Sequence, residues 1–200
     1  MSTNGVDKKR RRFLVNLTAG VGAVGSGFAV APFVMSMTPS ERAKAAGAPV
    51  EVDISKLEPG QLLTVKWRGK PVWLLNRTPV MMDSLKGLAD ILEDPESTDA
   101  EQPTYAKGIA RAIKPELLVV VGLCTHLGCS PDKKLEAGAG AGLGADWPGG
   151  FFCPCHGSKF DLSGRVYKNV PAPRNLPVPP YSFKSDTEIV LGIDQKEGVA

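Results

Sequence analysis

Cys124-Thr125-His126-Leu127-Gly128-Cys129 and Cys153-Pro154-Cys155-His156-Gly157-Ser158 together hold all four cysteines and both histidines of this 200-residue chain. Chance would scatter six such residues, yet they fall into two short clusters separated by a Gly-rich run. That economy means metal ligation, disulfide bonding or both. A structural zinc site is one reading, but zinc closes tetrahedrally on four ligands and a Cys2His2 set would leave two cysteines over. A redox dithiol is another, but it needs C-x-x-C beside a βαβ pattern, and neither cluster supplies that spacing or surrounding. A third is a [2Fe–2S] centre of the kind in which two histidines replace two of the cysteine ligands.

The paired motifs C-T-H-x-G-C and C-P-C-H-G-S are both present without a gap, and in this the chain resembles the Rieske iron–sulfur proteins. The resemblance implies one [2Fe–2S] cluster per chain, held by the sulfurs of Cys124 and Cys153 and the imidazoles of His126 and His156. It implies a disulfide between Cys129 and Cys155. Ser158 stands where the family's serine donates its hydroxyl to a bridging sulfide. Phe160 stands where many respiratory members have a tyrosine that donates to a ligand thiolate, so a lower potential than in those relatives is expected. Leu127 with Pro171, Ala172 and Pro173 would form the apolar cover of the cluster. His156 is the histidine expected to hydrogen-bond quinol, the catalytic contact, with His126 as the second exposed ligand.

The ligand types carry chemistry of their own. Exchanging two thiolates for two neutral imidazoles removes negative charge, which raises the potential from about −400 mV toward the −150 to +300 mV range. That range suits quinol oxidation.

Outward from the motifs, the N-terminus is the most distinctive region. Lys8, Lys9, Arg10, Arg11 and Arg12 precede an uncharged span from Phe13 to Met37. As a helix that span would reach about 37 Å, enough to cross a hydrocarbon core of roughly 30 Å. By the positive-inside rule residues 1–12 are expected to stay cytoplasmic and the rest of the chain to lie across the membrane, which the resemblance implies is the bacterial inner membrane. Arg10-Arg11-Arg12-Phe13-Leu14 also fits a twin-arginine export signal, a route suited to a protein that receives its cluster before export. Ala29-Val30-Ala31 has a small-residue cleavage pattern, but Pro32 follows it, so residues 13–37 are expected to stay as an anchor. Gly20, Gly22, Gly25 and Gly27 either offer a close-packing face to another membrane protein or reflect the modest hydrophobicity of such signals. The net charge of +3 is dominated by the basic block. No nucleic-acid partner is expected.

Residues 38–49 are small and polar and read as a linker, by resemblance a hinge. Strands follow: Val50-Glu51-Val52, then a hairpin of Leu62–Trp67 and Val72–Arg77 turned by Arg68-Gly69-Lys70-Pro71. Met82 to Leu92 reads as one short helix with Leu85, Leu88, Ile91 and Leu92 on one face, and Glu93 to Gln102 as a polar loop. Leu117–Val121 is a buried strand that delivers the first cluster loop. Ala137 to Gly144 reads as an exposed insertion, Asp161-Leu162-Ser163-Gly164-Arg165 as a turn, and Glu188–Ile193 as the strand that closes the sheet. The pattern predicts an all-β, antiparallel sandwich over residues 50–200 with a cluster-binding subdomain inserted at about 122–174, behind one transmembrane helix.

The reading as a whole is that of a Rieske subunit of a bacterial cytochrome bc1 complex, inactive alone. The resemblance implies ubiquinol as donor, cytochrome b and cytochrome c1 as partners, a dimeric assembly and a periplasmic head. The alternative is the small Rieske subunit of arsenite oxidase, which lacks the need for a long hinge. A soluble Rieske ferredoxin would lack the anchor and the extra cysteine pair.

Overall fold

The computed structural model describes residue 5, residues 7–98 and residues 102–195. Residues 1–4 and 6 of the expected cytoplasmic segment, residues 99–101 of the polar loop and residues 196–200 lie outside the described residues. The chain divides into two units, Met1–Ala45 and Ala46–Ala200.

The first unit is dominated by α1 (Lys8–Ser36), which starts within the basic block rather than after it. Asp7 caps it, its Oδ1 accepting from the amides of Lys9 at 2.9 Å and Arg10 at 3.2 Å. A cap satisfies amides that the first turn leaves without partners, and its negative charge faces the positive end of the helix dipole. Among the described residues α1 supplies the one stretch long and apolar enough to cross a membrane. A second short helix, α2 (Glu41–Ala46), falls inside the segment read as an irregular linker. The run Glu-Arg-Ala-Lys-Ala-Ala has high helix propensity without apolar periodicity, which is why the pattern did not disclose it. Ser40 Oγ accepts from the Ala43 amide at 3.2 Å and starts it.

The strands of the second unit all pair antiparallel. Its strands are β1 (Val50–Asp53), β2 (Leu62–Trp67), β3 (Lys70–Asn76), β4 (Leu117–Val121), β5 (Asp132–Lys134), β6 (Gly150–Phe152), β7 (Lys159–Phe160), β8 (Tyr181–Ser185) and β9 (Glu188–Leu191). They form three three-stranded sheets in the orders β1-β9-β8, β2-β3-β4 and β5-β6-β7. The first hairpin turns on Arg68 and Gly69, both at positive φ, and β3 begins two residues earlier than the sequence implied, with Pro71 opposite Lys66. All five residues of β4 are buried, as a continuous apolar run requires. β4 pairs with β3 through Val72 opposite Val121 and Leu75 opposite Leu118. Side chains such as Leu74, Leu75 and Leu118 are wholly enclosed and contribute about 1.5–3 kcal/mol each.

The third sheet lies wholly within the expected subdomain. It joins the same apolar core, which runs from Trp73 and Leu118 through Phe151 and Phe160 to Cys124 and Cys153. Trp73 stacks on Phe151 with ring centroids 4.9 Å apart, tying the second sheet to the third.

Met82 to Leu92 is not one helix. The chain forms α3 (Pro79–Ser84), capped by Thr78 Oγ1, and then a separate 3-10 turn at Ala89–Ile91. Gly87, at φ +79°, breaks the helix between them. Leu85 and Leu92 are buried, whereas Ile91 faces solvent. The tract from Ala137 to Gly144 is mostly exposed, but Ala141 is buried and Gly138 donates to the Trp147 carbonyl at 2.8 Å.

Candidate metal centre

The two motif loops repeat one backbone design. In the first, the Cys124 amide donates to the Cys129 carbonyl at 2.8 Å, and the Gly128 amide donates back to the Cys124 carbonyl at 2.9 Å. In the second, the Cys153 amide donates to the Ser158 carbonyl at 2.8 Å, and the Gly157 amide to the Cys153 carbonyl at 2.9 Å. Each loop thus closes on its first cysteine and carries its histidine in the turn. The first follows β4; the second links β6 to β7.

The loops set the two free thiols beside each other and the two imidazoles beside each other. Cys124 and Cys153 are free thiols, both buried. Burial pushes the Cys153 thiol up, and the neighbouring Cys124 thiol adds to the rise. A thiolate at that place therefore needs a cation beside it. The His126 and His156 rings meet edge to face, centroids 4.7 Å apart at 85°. His126 Nδ1 is buried without a hydrogen-bond partner, which is costly for an imidazole nitrogen unless a metal takes it. His156 is exposed. Two adjacent buried thiols, two converging imidazoles and an orphaned ring nitrogen fit a two-cysteine, two-histidine iron–sulfur centre.

Cys129 and Cys155 form a disulfide that joins the loops across 26 residues of sequence. The Cys153 sulfur lies within 4.8 Å of both disulfide sulfurs. Those three are not a metal site, because the lone pairs of a disulfide are poor ligands beside a thiolate.

A third segment straps the loops from the side. The Ala172 amide donates to Ser158 Oγ at 3.0 Å, and Thr125 Oγ1 donates to the Arg174 carbonyl at 2.7 Å. Ser158 and Ala172 are buried, while Pro171 and Pro173 are exposed beside them. Leu127 is 73% exposed at the tip of the first loop. Phe160 is fully enclosed, opposite Phe151 in the third sheet. A cavity of about 200 Å³ lies elsewhere, between Ile54, Leu57, Lys114 and Phe183, and no motif residue lines it.

Below the loops lies a group of residues that the sequence reading passed over. Arg77, Arg111 and Arg165 are 2%, 0% and 1% exposed, and all three converge on the segment read as a turn. Arg165 Nε pairs with Asp161 Oδ2 at 2.7 Å, and Asp161 Oδ1 accepts from the amides of Ser163 and Arg165. Arg165 also donates to the Leu85 and Pro95 carbonyls. Arg77 donates to Ser163 Oγ at 2.6 Å and to the carbonyls of Leu162, Ala110 and Pro115. Burial pulls Arg77 and Arg111 down to about 10, so both stay cationic at neutral pH. The only local sign of this hub was the Asp161 and Arg165 spacing around Ser163-Gly164; Arg77 and Arg111 arrive from distant segments.

Comparison with known proteins gives a consistent result. Residues 49–180 match the family model described as Rieske [2Fe-2S] domain, and residues 1–40 match the one described as Ubiquitinol-cytochrome C reductase Fe-S subunit TAT signal. The "Ubiquinol-cytochrome c reductase iron-sulfur subunit" of Allochromatium vinosum is 59% identical over 98% of this chain and 94% of its own length. The protein of the same name from Blastochloris viridis is 45% identical over 96% of this chain and 97% of its own. A solved chain from "Hyperthermophilic respiratory Complex III" is 28% identical with a TM-score of 0.45, covering 86% of this chain and 95% of that one.

Proposed function

The chain belongs to the family of ubiquinol-cytochrome c reductase iron–sulfur subunits, built on a Rieske [2Fe–2S] domain, and from that premise we propose how its residues serve electron transfer from ubiquinol. It is a membrane-anchored subunit of that oxidoreductase, with a twin-arginine signal and an N-terminal apolar helix. The observation that carries the site reading is the orphaned Nδ1 of His126, set beside a second imidazole in a pair of loops that also carry two buried free thiols.

Cys124 and Cys153 would hold the cluster through their sulfurs, and His126 and His156 through their imidazoles. A centre so ligated supplies a one-electron acceptor in a range that quinols can reduce. A ligating imidazole keeps its other nitrogen for hydrogen bonding. In His156, which is exposed, that nitrogen would be Nε2 if it binds through Nδ1, the ring nitrogen orphaned in His126. It would orient the quinol hydroxyl, and in its deprotonated form, which a bound metal cation favours, it would accept the quinol proton. Leu127, Pro171 and Pro173 form an apolar rim that limits water at that contact. The Ala172 amide donates to Ser158 Oγ, which leaves the Ser158 hydroxyl hydrogen free to donate to the cluster. Phe160 offers no donor at its position.

Residues 13–37 then serve as the anchor, residues 38–49 as the segment that lets the head travel between cytochrome b and cytochrome c1, and residues 50–200 as the periplasmic head of a dimeric complex. The experiment is an EPR spectrum of dithionite-reduced membranes carrying this chain, before and after a quinol-site inhibitor. A rhombic signal of low average g that changes shape with the inhibitor is the expected result. A signal indifferent to the inhibitor would remove ubiquinol oxidation from the reading, and no signal would remove the cluster.

A further inference from the structure

Arg111 grips both the exit from the second cluster loop and the exit from the strap. Its Nη1 donates to the Ser163 and Gly164 carbonyls, at 2.9 and 3.2 Å, on the exit from the second cluster loop. Its Nη2 donates at 2.8 Å to the Leu176 carbonyl, on the exit from the strap that carries Ala172. The two exits also touch directly, the Leu176 amide donating to the Gly164 carbonyl at 2.7 Å. Gln102 Oε1 and Ser97 Oγ take the remaining guanidinium hydrogens, both at 2.7 Å. Every donor direction of the planar fork is thus used, which fixes its orientation.

The backbone is strained to achieve this. Arg111 and Ser97 both sit at φ +51°, a region that side-chain-bearing residues adopt at a cost of about 1–3 kcal/mol. Such strain persists only where surrounding contacts over-determine it. Three of the five contacts go to two segments whose mutual register bears on whether the Ala172 amide reaches Ser158 Oγ. Ser158 lies five residues before Ser163, and Ala172 four before Leu176, so a shift at the root is carried directly to the contact.

We propose that Arg111 is a positioning residue for the redox centre: by setting the register between the second loop and the strap, it holds the Ser158 hydroxyl in its donating orientation and thereby raises the cluster potential. This rests on Ser158 acting as a hydrogen-bond donor to the cluster. Arg111 contributes through geometry, since lysine at the same place would keep the charge but could not span three carbonyls.

The test is a cycle on the full-length protein in membranes: wild type, Ser158→Ala, Arg111→Lys and the double variant, each titrated by EPR for its midpoint potential. Ser97→Gly is added as a mild perturbation, because it removes one anchor of the fork while tolerating positive φ. The expected result is a downward shift and broadened g-values in Arg111→Lys, a smaller shift of the same sign in Ser97→Gly, and a double variant no lower than Ser158→Ala alone. Shifts that add in the double variant would overturn the proposal, because independent effects add and serial ones do not. A wild-type midpoint in Arg111→Lys would overturn it equally. Should Arg111→Lys fail to retain a cluster, Ser97→Gly with and without Ser158→Ala makes the same comparison. An unchanged midpoint in Ser158→Ala is a different failure, that of the donor role of Ser158 itself.

Discussion

Gly128 and Gly157 stand at equivalent places in two loops that share no strand: each donates its amide to the cysteine four residues earlier, at 2.9 Å, and each has left-handed φ, +80° and +79°. Neither is glycine for lack of room, since a Cβ at either position would meet nothing within 4 Å. The need is conformational. Gly128→Ala or Gly157→Ala should therefore cost about 1 kcal/mol in loop closure while leaving the sheets intact. Cluster absorbance should decay several-fold faster under a chelator, with an unchanged far-UV circular dichroism spectrum.

The Cys129–Cys155 disulfide closes 26 residues of chain, and loop-closure entropy puts its contribution at about 3 kcal/mol. It joins loop to loop rather than sheet to sheet. Replacing both cysteines by alanine should thus release the cluster, followed by visible absorbance, at a temperature well below that at which strand structure melts. Coincident transitions would contradict this.

Phe160 is enclosed beside the second loop and has no donor. Phe160→Tyr adds a hydroxyl that can donate to a ligand sulfur, and such bonds stabilise the added electron. A higher midpoint potential is expected in a redox titration; an unchanged one would mean that the new hydroxyl does not reach the cluster.

Asp161 is the one acid among the fully buried members of the arginine hub. Asp161→Ala leaves the Arg165 guanidinium uncompensated, which costs about 3–5 kcal/mol for a buried pair. Urea unfolding followed by tryptophan fluorescence should show a midpoint markedly below wild type. A change under 1 kcal/mol would mean that backbone carbonyls alone satisfy Arg165.

All three tyrosines of the chain resist ionisation. Burial pushes Tyr181 up to about 12 and raises Tyr105 and Tyr167 as well. An unfolded phenol titrates near 10, so the protection is complete below that pH and is lost as pH climbs through the folded values. Absorbance at 295 nm should stay flat through pH 10 and then rise together with loss of structure, rather than before it.

The sequence disclosed what depends on local pattern. The motif loops, the buried strand Leu117–Val121 and the hairpin at Arg68-Gly69 all announce themselves within ten residues of chain. Met82 to Leu92 misled because its apolar spacing is helical while Gly87 is not, and a single positive φ outweighs the pattern. The arginine hub was invisible for another reason. Arg77, Arg111 and Arg165 bear no local mark of burial, and only folding brings carbonyls from Leu85, Pro95, Ala110, Ser163 and Leu176 around them. No residue in the neighbourhood of Arg111 in sequence hints at that company.

The strap from Ala172 to Arg174 has one more consequence. It pins Ser158 on one loop and Thr125 on the other, while the disulfide pins the loops to each other. A site held on three sides has little freedom to relax when it gains or loses a unit of charge. A low reorganisation energy is the expected consequence, with little of the driving force spent on rearranging the protein around the site.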